Sequence, residues 1–202
     1  RRKMGFPMAV ALVVILGSLL VVWARTDREA TSAPRVGEHW HSAYDIYVCD
    51  SYRSKILLET DPNGIHSHGD GLLHIHPFNK LASGRDATLG EFFSAFGGHI
   101  DDATLVLDTG EELVEGADCG GEPMVLKVAR FDADDMERDP EIVTEDLEGV
   151  RFLKNREAFT IAMVPADVDP PAPRPERFTF LDMVSPNALT SDPSAPAPTT
   201  SE

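Results

Sequence analysis

The sequence is short of basic residues, of cysteine and of recognisable catalytic motifs. Its 202 residues include 18 Lys and Arg against 34 Asp and Glu, giving a formal charge of −16. After residue 28 the imbalance is larger, with 13 basic and 33 acidic side chains. A polyanionic surface repels phosphate backbones and anionic lipid headgroups. Nucleic-acid binding is therefore disfavoured, and cations, metal ions included, are the favoured partners.

No sequence motif of a common enzyme class is present. The chain has no Gly-x-Ser-x-Gly, no phosphate-binding loop, no dinucleotide-binding glycine pattern and no His-Glu-x-x-His. Serine-based hydrolysis and nucleotide chemistry therefore have no support from a motif. The acidic stretch at residues 132–139 lacks the glycine and the glutamate of a calcium-binding EF-hand loop, so we interpret it as a solvated loop.

The two cysteines, Cys49 and Cys119, predict one disulfide. An even cysteine count favours pairing in an oxidising compartment. Closing so long a loop would stabilise the fold by about 4 kcal/mol in the chain-entropy model. A thiolate metal ligand is the alternative, since Met124 follows Cys119 closely, but no histidine lies between them.

Residues 6–24 form a long uncharged run, FPMAVALVVILGSLLVVWA. A helix of this length can cross a bilayer hydrocarbon core of about 30 Å. Basic residues precede the run, so the positive-inside tendency predicts a cytoplasmic segment at residues 1–5 and an extracytoplasmic remainder. A cleaved signal peptide is the alternative, although its apolar run would usually be about 7–15 residues long. Both interpretations predict a main domain outside the membrane.

The rest of the chain divides into a linker, a domain and a tail. Residues 25–37 are predicted to be a linker, and residues 38–164 an extracytoplasmic histidine-rich domain. Nine of the fifteen prolines lie in residues 165–202, which predicts a disordered tail. The one apolar patch of that tail, residues 177–184, is expected to dock back on the domain.

Within the domain the hydrophobic pattern mainly predicts strands. Period-two alternation and turn residues indicate strands at residues 40–48, 56–60, 65–68, 72–76, 104–107, 124–131 and 158–164, with a short one near Leu113. Thr88 and Glu91 fit a capping box that begins a helix, and Gly97 and Gly98 would end it. The expected fold class is α+β, a mainly antiparallel β-sheet with one packed helix.

All seven histidines lie between His39 and His99, and six of them form three His-x-His pairs. In a strand, residues two apart project from the same face, so each pair can present two imidazoles together. Neutral imidazole is a ligand for zinc, copper, nickel and iron. The predicted metal ligands are His66, His68, His74, His76, His39, His41 and His99.

The length of the hairpin loop decides whether the two central pairs meet. With a three-residue loop at residues 69–71, His66 opposes His74 and all four imidazoles share a face. With a two-residue turn, His66 opposes Ile75 and the pairs fall on opposite faces. The apolar alternation favours the three-residue loop, because it keeps Ile65 and Ile75 on one side.

A cluster of three or four neutral imidazoles favours copper or zinc as the bound metal. His39 and His41 could supply a third pair, and His99, after the helix, could cover the site. Metal-bound histidines need acceptors for their second nitrogen. The candidate acceptors in the sequence are Glu38, Asp45, Asp70 and Asp101.

Three functional interpretations follow from the histidines. The first is a membrane-anchored module that captures or delivers copper or zinc. The second is a metalloenzyme with an open coordination position and Asp70 or Glu91 as general base. The third is a metal-free interaction domain whose histidines are structural or respond to pH.

Three segments resemble parts of known proteins: GEHWHSAYDIYVC, GIHSHGDGLLHIHPF and ATLGEFF. They are similar to segments of a group of exported, single-pass bacterial membrane proteins of unassigned function. The resemblance spans roughly residues 37–130. It implies architecture and compartment, those of a tethered extracytoplasmic domain, and no activity. The expected partners are a metal ion, the membrane through the N-terminal helix and, as a further candidate, a membrane protein.

Overall fold

The computed structural model describes residues 5–30, 32–58 and 61–185. Over these residues the chain forms three α-helices and eleven strands. The helices are α1 (Gly5–Ala30), α2 (Leu89–Ala95) and α3 (Pro175–Val184). The strands are β1 (Trp40–Val48), β2 (Ser51–Tyr52), β3 (Ile65–His66), β4 (Leu72–Ile75), β5 (His99–Ile100), β6 (Thr104–Val106), β7 (Glu112–Val114), β8 (Asp118–Cys119), β9 (Glu122–Asp132), β10 (Glu141–Val143) and β11 (Glu157–Pro165).

The strands make one large sheet and one small sheet. The large sheet has the order β10-β9-β11-β1-β4-β3, with β2 paired to β1 and β8 paired to β9. Every pair in it is antiparallel except β1 with β11. The small sheet is the antiparallel set β5-β6-β7. The predicted α+β class with a mainly antiparallel sheet is confirmed.

Strand β1 lies in the interior of the large sheet and is buried on both faces. Tyr44, Ile46 and Val48 pack into the larger hydrophobic core, which also takes the phenylalanines of α2. Ala43 faces the other way, into a smaller core with Leu181 of α3. Because helices cover both faces of the sheet, odd-numbered and even-numbered residues of β1 are both buried. Simple alternation would predict burial on one face only. His41 of β1 therefore projects from the same sheet face as Ala43, which is the face that carries α3.

Helix α2 begins and ends as the capping signals predict. The side chain of Thr88 accepts a hydrogen bond from the backbone N–H of Glu91 at 3.2 Å. Phe92 and Phe93 are fully buried and make edge-on ring contacts with each other. A residue in this cap position stabilises a helix by roughly 1 kcal/mol, which matters for a helix of seven residues.

Two secondary-structure expectations need correction. The strand expected at residues 56–60 is reduced to a single bridge between Leu57 and His68, and residues 59 and 60 lie outside the described residues. The tail expected to be disordered from residue 165 instead contains α3, a second packed helix. Arg177 and Leu181 of that helix are buried, so the apolar patch docks as expected and orders the chain up to Ser185. Residues 186–202 lie outside the described part.

The apolar run near the start of the chain is helical. It lies within the 26-residue helix α1. Among the described residues, however, no helix meets the length and hydropathy that a membrane crossing requires. The predicted anchor at residues 6–24 therefore has no support from the structure.

The predicted disulfide is present. Cys49 and Cys119 are bonded, with their Cα atoms 5.6 Å apart. The bond ties the end of β1 to β8, across a separation of 70 residues, and removes both sulfurs from the candidate metal ligands. A loop of this length gives about 4 kcal/mol of stabilisation in the chain-entropy model.

Candidate metal centre

Three histidines form a row across three neighbouring strands. His41 on β1 pairs directly with His74 on β4, which pairs in turn with His66 on β3. Directly paired residues project from the same face, with Cβ atoms about 4.5–5.5 Å apart. One imidazole from each of the three predicted pairs therefore converges on one patch of the sheet.

The hairpin register is the one that the three-residue loop requires. His66 lies opposite His74, and Ile65 lies opposite Ile75. Gly69 and Gly71 have φ angles of 72° and 86°, which glycine adopts without steric cost. The pairing is shorter than expected, since β3 ends at His66 and the chain then turns away toward Leu57.

Six of the seven histidines form one continuous cluster of rings. The ring of His66 lies 4.6 Å from that of His68, 4.7 Å from that of His76 and 5.4 Å from that of His74. His74 lies 4.9 Å from His41, which lies 4.6 Å from His39. The strand order β1-β4-β3 thus brings all three His-x-His pairs together.

Asp61, His66 and His76 form the first candidate ligand set, called here the carboxylate group. One carboxylate oxygen of Asp61 lies 3.2 Å from Nδ1 of His66 and 3.5 Å from Nε2 of His76. His66 is buried, and its Nδ1 makes no hydrogen bond within the described residues, although the carboxylate is near. A buried polar nitrogen without a hydrogen bond is costly unless another partner, such as a cation, satisfies it.

His39, His41 and His74 form the second candidate set, called here the imidazole group. One ligand atom from each lies within 4.8 Å of the other two, as in the carboxylate group. His41 and His74 are buried, whereas His39 is exposed. Nε2 of His74 lies 3.0 Å from a carboxylate oxygen of Asp70. This is the contact that a metal-bound histidine makes through its second nitrogen, so the acceptor role predicted for Asp70 fits the geometry.

The spacing in the carboxylate group matches a small coordination sphere. Zinc binds imidazole nitrogen and carboxylate oxygen at about 2.0–2.2 Å, usually with tetrahedral geometry. Two ligand atoms of such a tetrahedron are about 3.4 Å apart, as follows from those bond lengths. The separations of 3.2 and 3.5 Å around Asp61 bracket this value. The two separations from Asp61 therefore fit a zinc-sized ion, and the ligand atoms of His66 and His76 lie within 4.8 Å of each other.

The electrostatic setting keeps the central imidazoles neutral. Burial, together with the neighbouring His74 and His39, lowers the pKa of His41 to about 4 against an opposing effect of Asp70. Burial also lowers the pKa of His66 to about 4, although Asp61 opposes the change. Neutral imidazole is the form that binds metals, so protons compete weakly at these sites near pH 7.

The two ends of the cluster show the same electrostatic pattern. Burial lowers the pKa of His39, with further lowering by the nearby His76 and His74. Burial opposes ionisation of Asp70, but hydrogen bonds from His74 and from the backbone N–H of Leu72 more than offset this and lower its pKa. The cluster thus contains neutral nitrogens beside ionised oxygen.

Two predicted ligands lie outside both groups. His68 is exposed, and its Nε2 lies 3.0 Å from Nε2 of His66, so it supports a ligand instead of joining either set. His99 lies on β5 in the small sheet, and its Nε2 contacts Asp101 at 2.9 Å. His99 is not part of the cluster, because β5 belongs to the small sheet and β1, β4 and β3 belong to the large sheet.

Sequence reasoning missed Asp61. Asp61 is the first residue of the turn before β3, where it accepts a hydrogen bond from the N–H of Gly64 at 2.6 Å. A carboxylate five residues before His66 is a weak signal alone. What joins them is the turn, which folds Asp61 back beside His66 and His76.

The other predicted acceptors have different partners. Asp45 binds Arg174 and Arg177, and Glu38 accepts a hydrogen bond from the backbone N–H of Arg35. Among the histidines of the described residues, Asp101 contacts only His99. Only Asp70 holds the predicted position beside the cluster.

Comparison with known proteins gives no further assignment. The chain matches no protein-family model, no curated protein and no solved structure. The resemblance to exported single-pass proteins stays a prediction, and the function has to be argued from the site.

Proposed function

We propose that this protein binds a transition-metal ion, zinc or copper, through the clustered histidines of β1, β3 and β4. The observation that carries the proposal is the carboxylate group, with its buried and unpaired Nδ1 of His66 facing Asp61. An ion placed among these atoms would satisfy the nitrogen and the carboxylate together. Imidazole with carboxylate is a ligand combination that suits zinc, and clustered imidazole suits copper as well.

The arrangement favours metal binding over a purely structural role. A structural cluster of polar groups is expected to satisfy its own donors and acceptors. Here burial keeps His41 and His66 neutral, and the buried imidazoles outnumber the carboxylates that could accept from them. An excess of lone pairs at one place is the signature of a cation site.

An oxidising compartment is part of the proposal. The Cys49–Cys119 disulfide supports it, because such bonds persist mainly outside the cytoplasm. The acidic surface is compatible with attraction of cations to the site. Metal binding does not depend on the membrane tether expected from the sequence.

The test is elemental analysis of the full chain after loading with zinc or copper and removal of free metal. We expect bound metal in the wild type and a loss of at least one equivalent in His66→Ala. The same metal should raise the melting temperature of the wild type, since a ligand at 100 times its Kd stabilises by about 2.7 kcal/mol.

His99→Ala is the matched control, because it removes an exposed histidine with its own aspartate partner. It should leave the metal content unchanged. Wild-type protein that stays free of zinc and copper would contradict the proposal and favour the metal-free interaction domain.

A further inference from the structure

The histidine cluster offers more ligands than one ion can use. The carboxylate group and the imidazole group share no residue, and together they supply five imidazoles and one carboxylate. Zinc in proteins is almost always four-coordinate in structural sites and keeps three protein ligands in open ones. Six ligands exceed one tetrahedral ion but match two ions with three protein ligands each.

The two groups lie side by side. The rings of His66 and His74, one from each group, are stacked with centroids 5.4 Å apart. The rings of His76 and His39 approach to 5.1 Å. The two groups therefore have separate ligand sets but are adjacent, with imidazole rings of one group beside those of the other.

The groups differ in charge and exposure. The carboxylate group contains the anionic ligand Asp61 beside the buried His66, and both Asp61 and His76 are partly exposed. The imidazole group has neutral ligands only and includes the exposed His39. An anionic ligand strengthens the attraction for a divalent ion, and an exposed ligand such as His39 gives an incoming competing ligand access to its ion.

We infer that the cluster holds two metal ions with different exchange rates. The carboxylate group retains its ion, and the imidazole group exchanges its ion with solvent or with an incoming ligand at His39. This rests on the proposed metal-binding function and adds the stoichiometry and the division of roles. A three-imidazole site that reaches solvent at His39, beside a retained ion, suits a protein that accepts and releases metal.

The experiment is zinc titration of the full chain, followed by release into a chromogenic chelator. We expect two zinc ions per wild-type chain and two release phases. The fast phase should exceed the slow one by at least about tenfold, which corresponds to roughly 1.4 kcal/mol if the difference is in affinity.

Two substitutions assign the phases. Asp61→Asn removes the charge of the ligand but keeps an oxygen for the N–H of Gly64, so the turn is preserved. It should abolish the slow phase and one equivalent of zinc. His39→Ala changes an exposed side chain, so the fold is expected to survive. It should abolish the fast phase and the other equivalent.

The outcomes separate this inference from the proposed function. A single zinc ion in the wild type, or loss of all zinc in both variants, would overturn the two-ion arrangement while metal binding stands. Two ions released in one phase would overturn the division of roles. Absence of zinc and of copper from the wild type would overturn the proposed function and this inference together.

Discussion

Buried polar groups at the two ends of one sheet face differ in whether the chain supplies their hydrogen-bond partners. At one end, Asp45 is 2% exposed and accepts hydrogen bonds from Arg174 and from the almost fully buried Arg177. At the other end, Nδ1 of His66 is buried beside Asp61 without a hydrogen bond. The carboxylate at the first end is satisfied within the chain, whereas the buried nitrogen at the second end has no hydrogen bond. This unsatisfied nitrogen is the reason for proposing a cation site there.

The arginine end also explains why α3 docks. Arg177 passes directly over Gly71, where a Cβ atom would collide with its side chain. Asp45 receives a backbone hydrogen bond from Arg174 as well, at 2.9 Å. The tail is thus tied to β1 and to the loop that carries Asp70. The same loop supports His74, so the arginine end and the histidine end meet at this hairpin.

The largest expected effect comes from breaking the arginine end. Asp45→Asn leaves the buried Arg177 guanidinium without its counter-charge, and such a loss costs about 3–5 kcal/mol of unfolding free energy. Denaturant unfolding measures this. Asp86→Asn, in an exposed ion pair with Arg85, is the matched control and should change stability by less than about 1 kcal/mol. Equal effects in both variants would contradict a structural role for the arginine end.

The second prediction concerns acid and the metal-free histidine end. His41 and His66 have folded-state pKa values of about 4, below the unfolded value of about 6.5. The unfolded chain therefore binds more protons between pH 6.5 and pH 4, and stability falls as the pH drops through this window. After allowance for solvent screening, the two histidines together contribute on the order of 2 kcal/mol.

Denaturant unfolding at a series of pH values in the presence of a chelator measures this slope. His66→Gln, which cannot titrate, should make the slope shallower. A stability that is constant between pH 6.5 and pH 4 would show that these imidazoles are not held neutral by the fold. Saturating zinc should shift the onset of the loss to lower pH, because the bound ion excludes protons.

The smallest expected difference between a variant and its control concerns the turn that supports the carboxylate group. Gly64 has a φ of +94°, and a Cβ there would lie 2.5 Å from the backbone oxygen of His76. Gly64→Ala combines a left-handed backbone penalty of roughly 1–2 kcal/mol with displacement of His76. Gly116→Ala is the control, because Gly116 has a φ of +82° and open space around it.

Both glycine variants should lose stability by chemical denaturation, and Gly64→Ala should lose about 1 kcal/mol more. Only Gly64→Ala should also lose zinc affinity, as measured by competition with a chelator. Identical stability and affinity in the two variants would show that the close approach of Gly64 to His76 does not matter to the site.

The parts of the fold that could be predicted depend on neighbours in the sequence. The bounds of β1, the Thr88 cap of α2 and the pairing of His66 with His74 follow from periodicity and turn chemistry. The strand expected at residues 56–60 is wrong, because Leu57 forms only a single bridge, with His68. Local apolar patterning does not specify whether a partner strand is available.

The candidate site divides in the same way. His-x-His spacing alone identifies six of the clustered side chains, since alternation along an extended chain is local. The exclusion of His99 depends on which sheet β5 joins, and the inclusion of Asp61 depends on how a turn folds back. The spacing of the residues predicts neither the exclusion of His99 nor the inclusion of Asp61.

The sequence by itself determined the longer strands of the large sheet, the helix cap, the even cysteine count and the three imidazole pairs, because these depend on residues a few positions apart. Tertiary structure alone decided that β4 lies between β1 and β3, which sets His41 beside His74 and His74 beside His66. It also decided that Arg177 reaches Asp45 across 132 residues. Contacts between distant segments arise from burial of both sheet faces at once, and no local pattern encodes that packing.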